Sequence, residues 1–339
     1  MATHKALFLL EKQGSLAIRD VSTPKPGPGE LLVEVKATGL NPIDWKIQAY
    51  GLFFTEYPAT LGIDSAGIVK EVGEGVTRFV VGDQVLHVGY FNNRQATFQQ
   101  YSVVPAELTA KLPSNLTFEQ GSSIPIALET AAFGLYSSEL PTGPCGAGLT
   151  PPWQAGGRGK YAGQPIVILG GSSAVGQQVI QLAKLSGFSP IITTASPRNA
   201  DLLKSLGATH VVDRSLPLAP AVKAITSEPI KIVYDAISLK VTQQAGYDVV
   251  TPGGTLIIVL SLEVDKNAID SSKSIAQVFG RANYESSVFK VLTALLESGE
   301  IKPNNVEVLP DGLAGIPDGL ERLKADKVSA TKLVALPWA

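Results

Sequence analysis

The chain is poor in metal-binding and redox-active side chains. Its 339 residues include one cysteine, one methionine and three histidines, and only 17% are charged. A lone Cys145 excludes an internal disulfide and every cysteine-rich zinc site. Lys and Arg total 28 against 30 Asp and Glu, a net charge of −2, so there is no basic footprint for nucleic acid or an anionic membrane. No apolar stretch approaches the roughly 20 residues of a membrane span. The opening Met1-Ala-Thr-His-Lys-Ala-Leu-Phe-Leu-Leu10 sets a lysine before an apolar run too short for a signal peptide and lacking a cleavage site. It reads as a first strand, and the expected compartment is soluble, reducing and cytoplasmic. What is abundant is apolar: 45% hydrophobic residues in a chain long enough for two domains, each with a substantial core.

Texture divides the chain. Up to about residue 110 it carries short β-type runs, Leu31–Ala37, Ala66–Val72, Gln84–Val88 and Phe98–Val104, separated by turns such as Pro24-Lys-Pro-Gly-Pro-Gly29 and Gly73-Glu-Gly75. A helical segment over Ser122–Ser138 follows, then a Gly/Pro-rich stretch, Pro141–Gly163, whose tip is expected to be loose. Strands and helices then alternate through 166–169, 173–186, 190–194, 199–206, 210–213, 217–226, 231–235, 241–250 and 254–261, the mark of βαβ units. The tail, with a helix over 286–298, a strand at 306–309, a helix near 316–324 and a strand at 332–336, reads as α+β.

The most informative stretch is Pro165-Ile-Val-Ile-Leu-Gly-Gly-Ser-Ser-Ala-Val-Gly176, an apolar β-branched run, a tight turn and a helix start. That is the context of a dinucleotide fingerprint, in which glycines let the backbone approach a pyrophosphate and the helix start supplies amides. Aligned as G-x-G-x-x-G, the positions are Gly171, Ser173 and Gly176, so serine replaces the middle glycine; Ser172, Ala174 and Val175 complete the loop. About 20 residues further on, an NAD site places an acid for the ribose 2′-hydroxyl. No acid stands between Ser186 and Ala200; the second strand ends in Ser196-Pro-Arg198-Asn199 instead. A hydroxyl, a guanidinium and an amide suit a 2′-phosphate, so the expected cofactor is NADPH. Ser196 or Asn199 also suits the N-cap of the helix Ala200–Leu206, and both roles are compatible.

Pro58-Ala-Thr-Leu-Gly-Ile-Asp-Ser-Ala-Gly-Ile-Val-Lys-Glu-Val-Gly73, then Phe79-Val-Val-Gly-Asp-Gln-Val85, resembles the N-terminal signature of the medium-chain dehydrogenase/reductase superfamily. Leu40-Asn-Pro-Ile-Asp44 resembles its quinone-oxidoreductase and enoyl-reductase branches, and the Gly/Pro insertion with Ser196-Pro-Arg-Asn199 resembles the fungal branch with trans-acting polyketide enoyl reductases. The resemblance implies an α/β fold: a Rossmann-type doubly wound parallel sheet plus a GroES-like β-rich catalytic domain. The implied boundaries are 1–122 for the GroES-like domain, 123–285 for the NADP-binding domain and 286–339 for a segment returning to the catalytic domain. Where zinc alcohol dehydrogenases of this superfamily carry metal-binding residues, this chain has Asn41, Ile63 and Asp64, and His4, His87 and His210 miss the ligand positions. No metal is expected. Without that Lewis acid, hydride delivery to an already polarised acceptor is what remains.

The same resemblance sets Asp44, Trp45, Lys46 and Tyr50 facing the nicotinamide. Lys46 is placed to bond the nicotinamide ribose or an anionic substrate group, and Tyr50 to act as proton donor, a phenol being a workable general acid. Their plainer readings are a solvated lysine and an aromatic pocket wall; Asp44 also reads as a turn-stabilising acid. Thr130 is placed to bond the carboxamide, with neighbouring Glu129 a solvated helix residue. Arg214 is placed to stack on adenine or reach the 2′-phosphate. Leu260 and Ser261, ending the strand Thr255–Leu260, lie near the nicotinamide, and Ser329-Ala-Thr-Lys-Leu333 resembles a closing segment that caps the cofactor.

The function these residues support is NADPH-dependent, zinc-independent reduction of an activated C=C bond in an enone or enoyl thioester. The alternatives are a quinone oxidoreductase and a cofactor-binding protein with little turnover. Expected partners are a small-molecule or thioester substrate, with a polyketide synthase as a candidate macromolecular partner, and the protein is expected to be a monomer or homodimer.

Overall fold

The computed structural model of the chain describes residues 2–140, 143–265, 267, 269–278 and 286–339. Its first part holds strands β1 (Thr3–Leu9), β2 (Leu16–Ser22) and β3 (Glu30–Gly39), then helix α1 (Pro42–Tyr50). Strands β4 (Ala59–Thr60), β5 (Asp64–Val72), β6 (Gln84–Val88), β7 (Tyr101–Pro105) and β8 (Thr109–Lys111) and helix α2 (Phe118–Gly121) follow. Helix α3 (Pro125–Tyr136) and the short strands β9 (Glu139–Leu140) and β10 (Gly143–Pro144) lead into a regular alternation. It runs β11 (Ile166–Leu169), α4 (Ala174–Ser186), β12 (Ile191–Ala195), α5 (Ala200–Leu206), β13 (His210–Asp213), α6 (Leu218–Ile225), β14 (Ile232–Asp235), α7 (Lys240–Val249), β15 (Thr255–Ile258) and β16 (Ser274–Gln277). Helix α8 (Ser287–Glu297), strand β17 (Asn305–Val308), helix α9 (Ile316–Lys324) and strand β18 (Thr331–Ala335) close the chain.

Internal contacts group these elements into two compact units, one of Met1–Ile126, Phe289–Gly299 and Pro303–Ala339, the other of Ala127–Val288 with Glu300–Lys302. The first is β-rich. Its main sheet runs β17-β18-β3-β5-β6-β8, with β7 also on β3, and a smaller sheet runs β2-β1-β4. Register shifts between Leu32 and Val33 and between Val35 and Ala37 mark irregularities where β3 pairs with β5. Such irregularities let a strand bend around a core. Leu31, Val33, Val69, Phe79, Val85 and Val104 form one core; a second, containing Leu7, Leu9, Leu40, Ile47, Ile316, Leu320 and Leu333, joins α1 and α9 to β1 and β18. That second core holds α1 in place.

The second unit is a six-stranded, wholly parallel sheet in the order β13-β12-β11-β14-β15-β16. Sequence order reverses on either side of β11, the topological switch point of a doubly wound sheet. All four residues of β11 are buried, as a central parallel strand requires.

Local departures from expectation have plain causes. The helix expected over 122–138 is α3, which starts only at Pro125 because the chain, leaving the short α2, turns at Ser122–Ile124. Phe98 and Gln99 make isolated bonds to the β1 region, so regular pairing starts only at Tyr101. Strand β15 stops at Ile258, leaving Leu260 and Ser261 past its end. Beyond β10 the Gly/Pro stretch runs into a series of turns over 152–163, tied down by Trp153 Nε1 donating to Ser287 Oγ at 2.9 Å and by Tyr161 stacked on Phe188 at 5.0 Å. Residues 141 and 142 lie outside the described residues. Among the described residues no helix is long and apolar enough to cross a membrane.

Candidate active site and cofactor site

In the parallel-sheet unit, β11 ends at Leu169 and turns through Gly170 (φ 76°) and Gly171 into α4. The turn is tied to the end of β12: the Gly170 amide donates to Thr194 Oγ1 at 3.1 Å and the Gly171 amide to the Thr194 carbonyl at 3.0 Å. Ser173, at the position of the missing glycine, is the N-cap; its hydroxyl accepts from the Gly176 amide at 3.0 Å. A Cβ on Gly176 would run into the Gly170 carbonyl, so the helix comes this close to the turn only with glycine there. Ser172 and the N-cap Ser173 thus lead into Ala174 and Val175, which open a 13-residue helix whose dipole and free amides favour an anion at this end.

One strand over, Ser196 begins a single 3₁₀ turn, Pro197–Asn199, that leads into α5. Asn199 stands at the N-cap of α5, as expected for one of the two, and Ser196 at the N-cap of the 3₁₀ turn, each without a side-chain cap bond. Ala195 pairs with Asp213, and the Arg214 amide donates to the Ala195 carbonyl at 3.0 Å, so Arg198 and Arg214 leave from adjacent strand ends, both exposed. The neighbouring Asp213 is turned to the Ser215 amide and hydroxyl, whose bonds hold its carboxyl below the usual range.

In the same unit Thr130 is half-buried and its carbonyl accepts from the Tyr234 hydroxyl at 2.8 Å. Glu129, expected in solvent, is buried: α3 is apolar nearly all round and has little wet face on which to place it. Leu260 is half-buried and Ser261 exposed.

In the β-rich unit, Asp44, Trp45, Lys46 and Tyr50 all lie on α1. The Nζ of half-buried Lys46 lies 5.7 Å from the Trp45 ring centroid, and the Tyr50 ring lies 5.8 Å from Trp45, so two side chains flank the indole. Burial pulls the Lys46 ammonium below the usual lysine range. Tyr50 is 60% exposed, on the last helical residue before Gly51 (φ 65°) ends α1. Asp44 has no exposed surface; one of its oxygens accepts from the Asn41 amide at 2.7 Å, the turn-stabilising role that was one of its expected readings. Burial raises its carboxyl to about 7, with Asp64 pushing the same way and the Asn41 amide, Lys332 and the Gly62 amide opposing.

Behind α1 lies a buried charge network. Lys332 Nζ donates to Asn41 Oδ1 at 2.6 Å and to Asp64 Oδ2 at 2.7 Å. Asn41 Nδ2 donates to the same Asp64 oxygen at 2.9 Å, and the other Asp64 oxygen accepts from the Ile126 amide at 2.7 Å. Ser329 is exposed, but three residues on the closing segment turns Lys332 inward, 3% exposed. Sequence reasoning singled out Asn41 and Asp64 and missed the ammonium between them; a lysine inside an otherwise apolar strand was the available signal.

This network decides whether zinc fits. Zinc is held by thiolate, imidazole or carboxylate ligands in a roughly tetrahedral set. Here the corresponding positions present a carboxamide, the alkyl chain of Ile63 and one carboxylate, and a cation already joins the carboxamide to the carboxylate. Zinc does not fit these residues. Among the described residues no group of three or more His, Cys, Asp or Glu side chains could hold a metal. His4 bonds Thr23 and Gln99, and His87 is buried on β6.

The alcohol dehydrogenase GroES-like domain family matches residues 27–114, and the zinc-binding dehydrogenase family matches residues 174–296. A trans-enoyl reductase of a Penicillium species is 29% identical over 98% of this chain and 97% of its own length. A dehydrogenase of Emericella nidulans is 32% identical over 98% of this chain and 99% of its own. Among solved structures, an alcohol dehydrogenase superfamily protein from Novosphingobium aromaticivorans superposes with a TM-score of 0.80 at 28% identity, covering 98% of both chains.

Proposed function

Because the chain belongs to the medium-chain dehydrogenase/reductase superfamily, on its enoyl-reductase branch, we propose that it is an NADPH-dependent, zinc-independent oxidoreductase of activated C=C bonds. The substrate is an enone or an enoyl thioester. The similarity to proteins named trans-enoyl reductases favours an enoyl thioester presented in trans; in this reading the presenting partner is a polyketide synthase and the compartment the cytoplasm. The observation that carries the cofactor half of this reading is the end of β12, where no carboxylate stands ready for a 2′-hydroxyl and Arg198 and Arg214 leave adjacent strands.

In this reading the pyrophosphate is held by Gly171, Ser172, Ser173, Ala174, Val175 and Gly176, and the 2′-phosphate by Ser196, Arg198, Asn199 and Arg214. The nicotinamide end falls to Trp45, Lys46, Thr130, Leu260, Ser261 and Ser329; Asp44 serves it indirectly, by bracing the start of α1. The bound cofactor supplies a hydride. Reduction of an activated alkene leaves negative charge on the conjugated oxygen and requires one proton at the neighbouring carbon. Lys46 offers a cation held in partly desolvated surroundings, where its field on that oxygen is stronger than in water. Tyr50, exposed and beside Trp45, offers an O–H to the carbon.

The test is NADPH and NADH oxidation across enones, enoyl thioesters and quinones. Turnover of the first two classes, with NADPH preferred about tenfold or more, is expected. Turnover of quinones alone would make the protein a quinone oxidoreductase, and tight NADPH binding with no turnover a binding protein.

A further inference from the structure

Lys332 is an unusual residue to bury. It is 3% exposed, its counter-ion Asp64 is 0% exposed, and Asn41 beside them is 7% exposed. Desolvating two charges costs as much as their attraction returns, so a buried pair is weak evidence of stabilisation and calls for another reason. The geometry supplies one. The ammonium joins β18 to the β3–α1 junction through Asn41 and to the start of β5 through Asp64. Asp64 also holds Asn41 and the Ile126 amide. Asn41 is the N-cap residue of α1, and its amide is bonded by Asp44. Packing around the ammonium is close: a Cβ on Gly39 would lie 2.5 Å from the Ser122 carbonyl and 2.8 Å from the Lys332 side chain. Beside the apolar packing of α1, the side-chain ties of its cap residue to β18 and β5 therefore meet at one cation, at the start of the helix carrying Trp45, Lys46 and Tyr50.

We propose that Lys332 is a positioning residue for the reductase reaction, its ammonium acting as the built-in cation at the place where metal-dependent relatives bind zinc, and setting α1 through Asn41 and Asp64. This rests on the zinc-independent reading above. Lys332 does not touch substrate; it acts through α1. Loss of the cation leaves Asn41 Oδ1 without its donor and Asp64 buried beside Asp44 with no positive charge between them. Helix α1 then settles differently. A misplacement of about 1 Å costs up to roughly 100-fold in rate. The pyrophosphate and 2′-phosphate residues lie in the other compact unit, so NADPH affinity stays close to wild type.

Full-length wild type, Lys332→Ala, Lys332→Arg and the double variant Asp64→Asn/Lys332→Met test this. Measured for each are zinc content, melting temperature, kcat and the KM for NADPH, with and without n-propylammonium, which matches the atoms removed in Lys332→Ala. Lys332→Ala should lose about 10- to 100-fold in kcat with KM changed less than about threefold, and regain several-fold with n-propylammonium but not with tert-butylammonium. Lys332→Arg, which keeps a cation, should stay closer to wild type than Lys332→Ala. The double variant removes both charges, so it should melt near wild type yet keep the low kcat.

A folded Lys332→Ala with wild-type kcat, or one that n-propylammonium does not rescue, overturns the proposal. If Lys332→Ala does not fold, the double variant decides. Recovery of kcat along with stability shows the pair to be merely structural, and a double variant that fails to fold shows the cation to be needed for folding rather than positioning. Zinc at about one per chain in wild type would instead defeat the zinc-independent reading itself, a result separable from all of these.

Discussion

Acidification should set two buried groups of the β-rich unit against each other. His87 has no exposed surface, and burial drives its imidazolium down from 6.5 to about 3. Asp44, equally buried, is driven up from 3.8 to about 7, chiefly by desolvation. At pH 5 the unfolded chain binds a proton on His87 and the native state does not, so this group's contribution, complete above pH 6.5, is lost as pH falls from 6.5 toward 3. For Asp44 the native state binds the proton and the unfolded chain does not, so stability is gained as pH falls from about 7 toward 3.8. At about 1.4 kcal/mol per pH unit, moving to pH 4.5 removes about 3 kcal/mol through His87 and adds about 3 kcal/mol through Asp44. In wild type the two nearly cancel. Urea unfolding at pH 7 and 4.5 should therefore show His87→Leu gaining about 3 kcal/mol on acidification relative to wild type, and Asp44→Asn losing a similar amount. Parallel pH responses in all three proteins would refute the reasoning, because they would mean that neither group changes its proton affinity on folding.

Elemental analysis of purified protein should find no stoichiometric zinc, and prolonged chelation should leave reductase activity unchanged. Arg198→Ala should raise the KM for NADPH by roughly 10- to 100-fold, the loss of a charge-assisted bond worth about 1.5–3 kcal/mol, and leave NADH nearly unaffected; equal use of both nucleotides by wild type would show that the end of β12 has been misassigned. Tyr50→Phe should cut kcat about 100-fold at unchanged NADPH affinity if the phenol is the proton donor. A loss below about threefold would move that proton to solvent.

The parallel sheet was legible because its information is local. Strands such as Ile166–Leu169 and Ile232–Asp235 are short β-branched runs bounded by turn residues, and buried parallel strands need little else. Strand β16 was not legible, since Ser274-Ile-Ala-Gln277 has neither alternation nor an apolar run; it owes its place to β15, with which it pairs from Thr255 to Ile258. The later start of α3 at Pro125 was hidden because Ser122–Ile124 turns by bonding its amides back to Phe118, Gln120 and Gly121, which its composition does not announce. The nucleotide loop and the end of β12 were legible for the same reason as the strands: every residue used there is a near neighbour in sequence.

The charge network was a different case. Lys332 lies 291 positions from Asn41 and 268 from Asp64, so no window of sequence contains both an acceptor and its donor. Yet the lysine left a trace. Strand β18 reads Thr331-Lys-Leu-Val-Ala335 and is buried on both faces from Lys332 onward, so a side chain at that position cannot reach water by alternation alone. A lysine fixed in such a strand must meet a carboxylate or lose its charge. Candidate counter-ions are then limited to acids that are themselves buried, and in the β-rich unit Asp64 and Asp44 are both fully so. Asp64 opens β5 beside the turn that carries Asn41. An isolated lysine in a two-sided apolar strand therefore points to a buried acid far away in sequence, and here that acid, Asp64, stands at a position that carries a metal-site residue in zinc alcohol dehydrogenases.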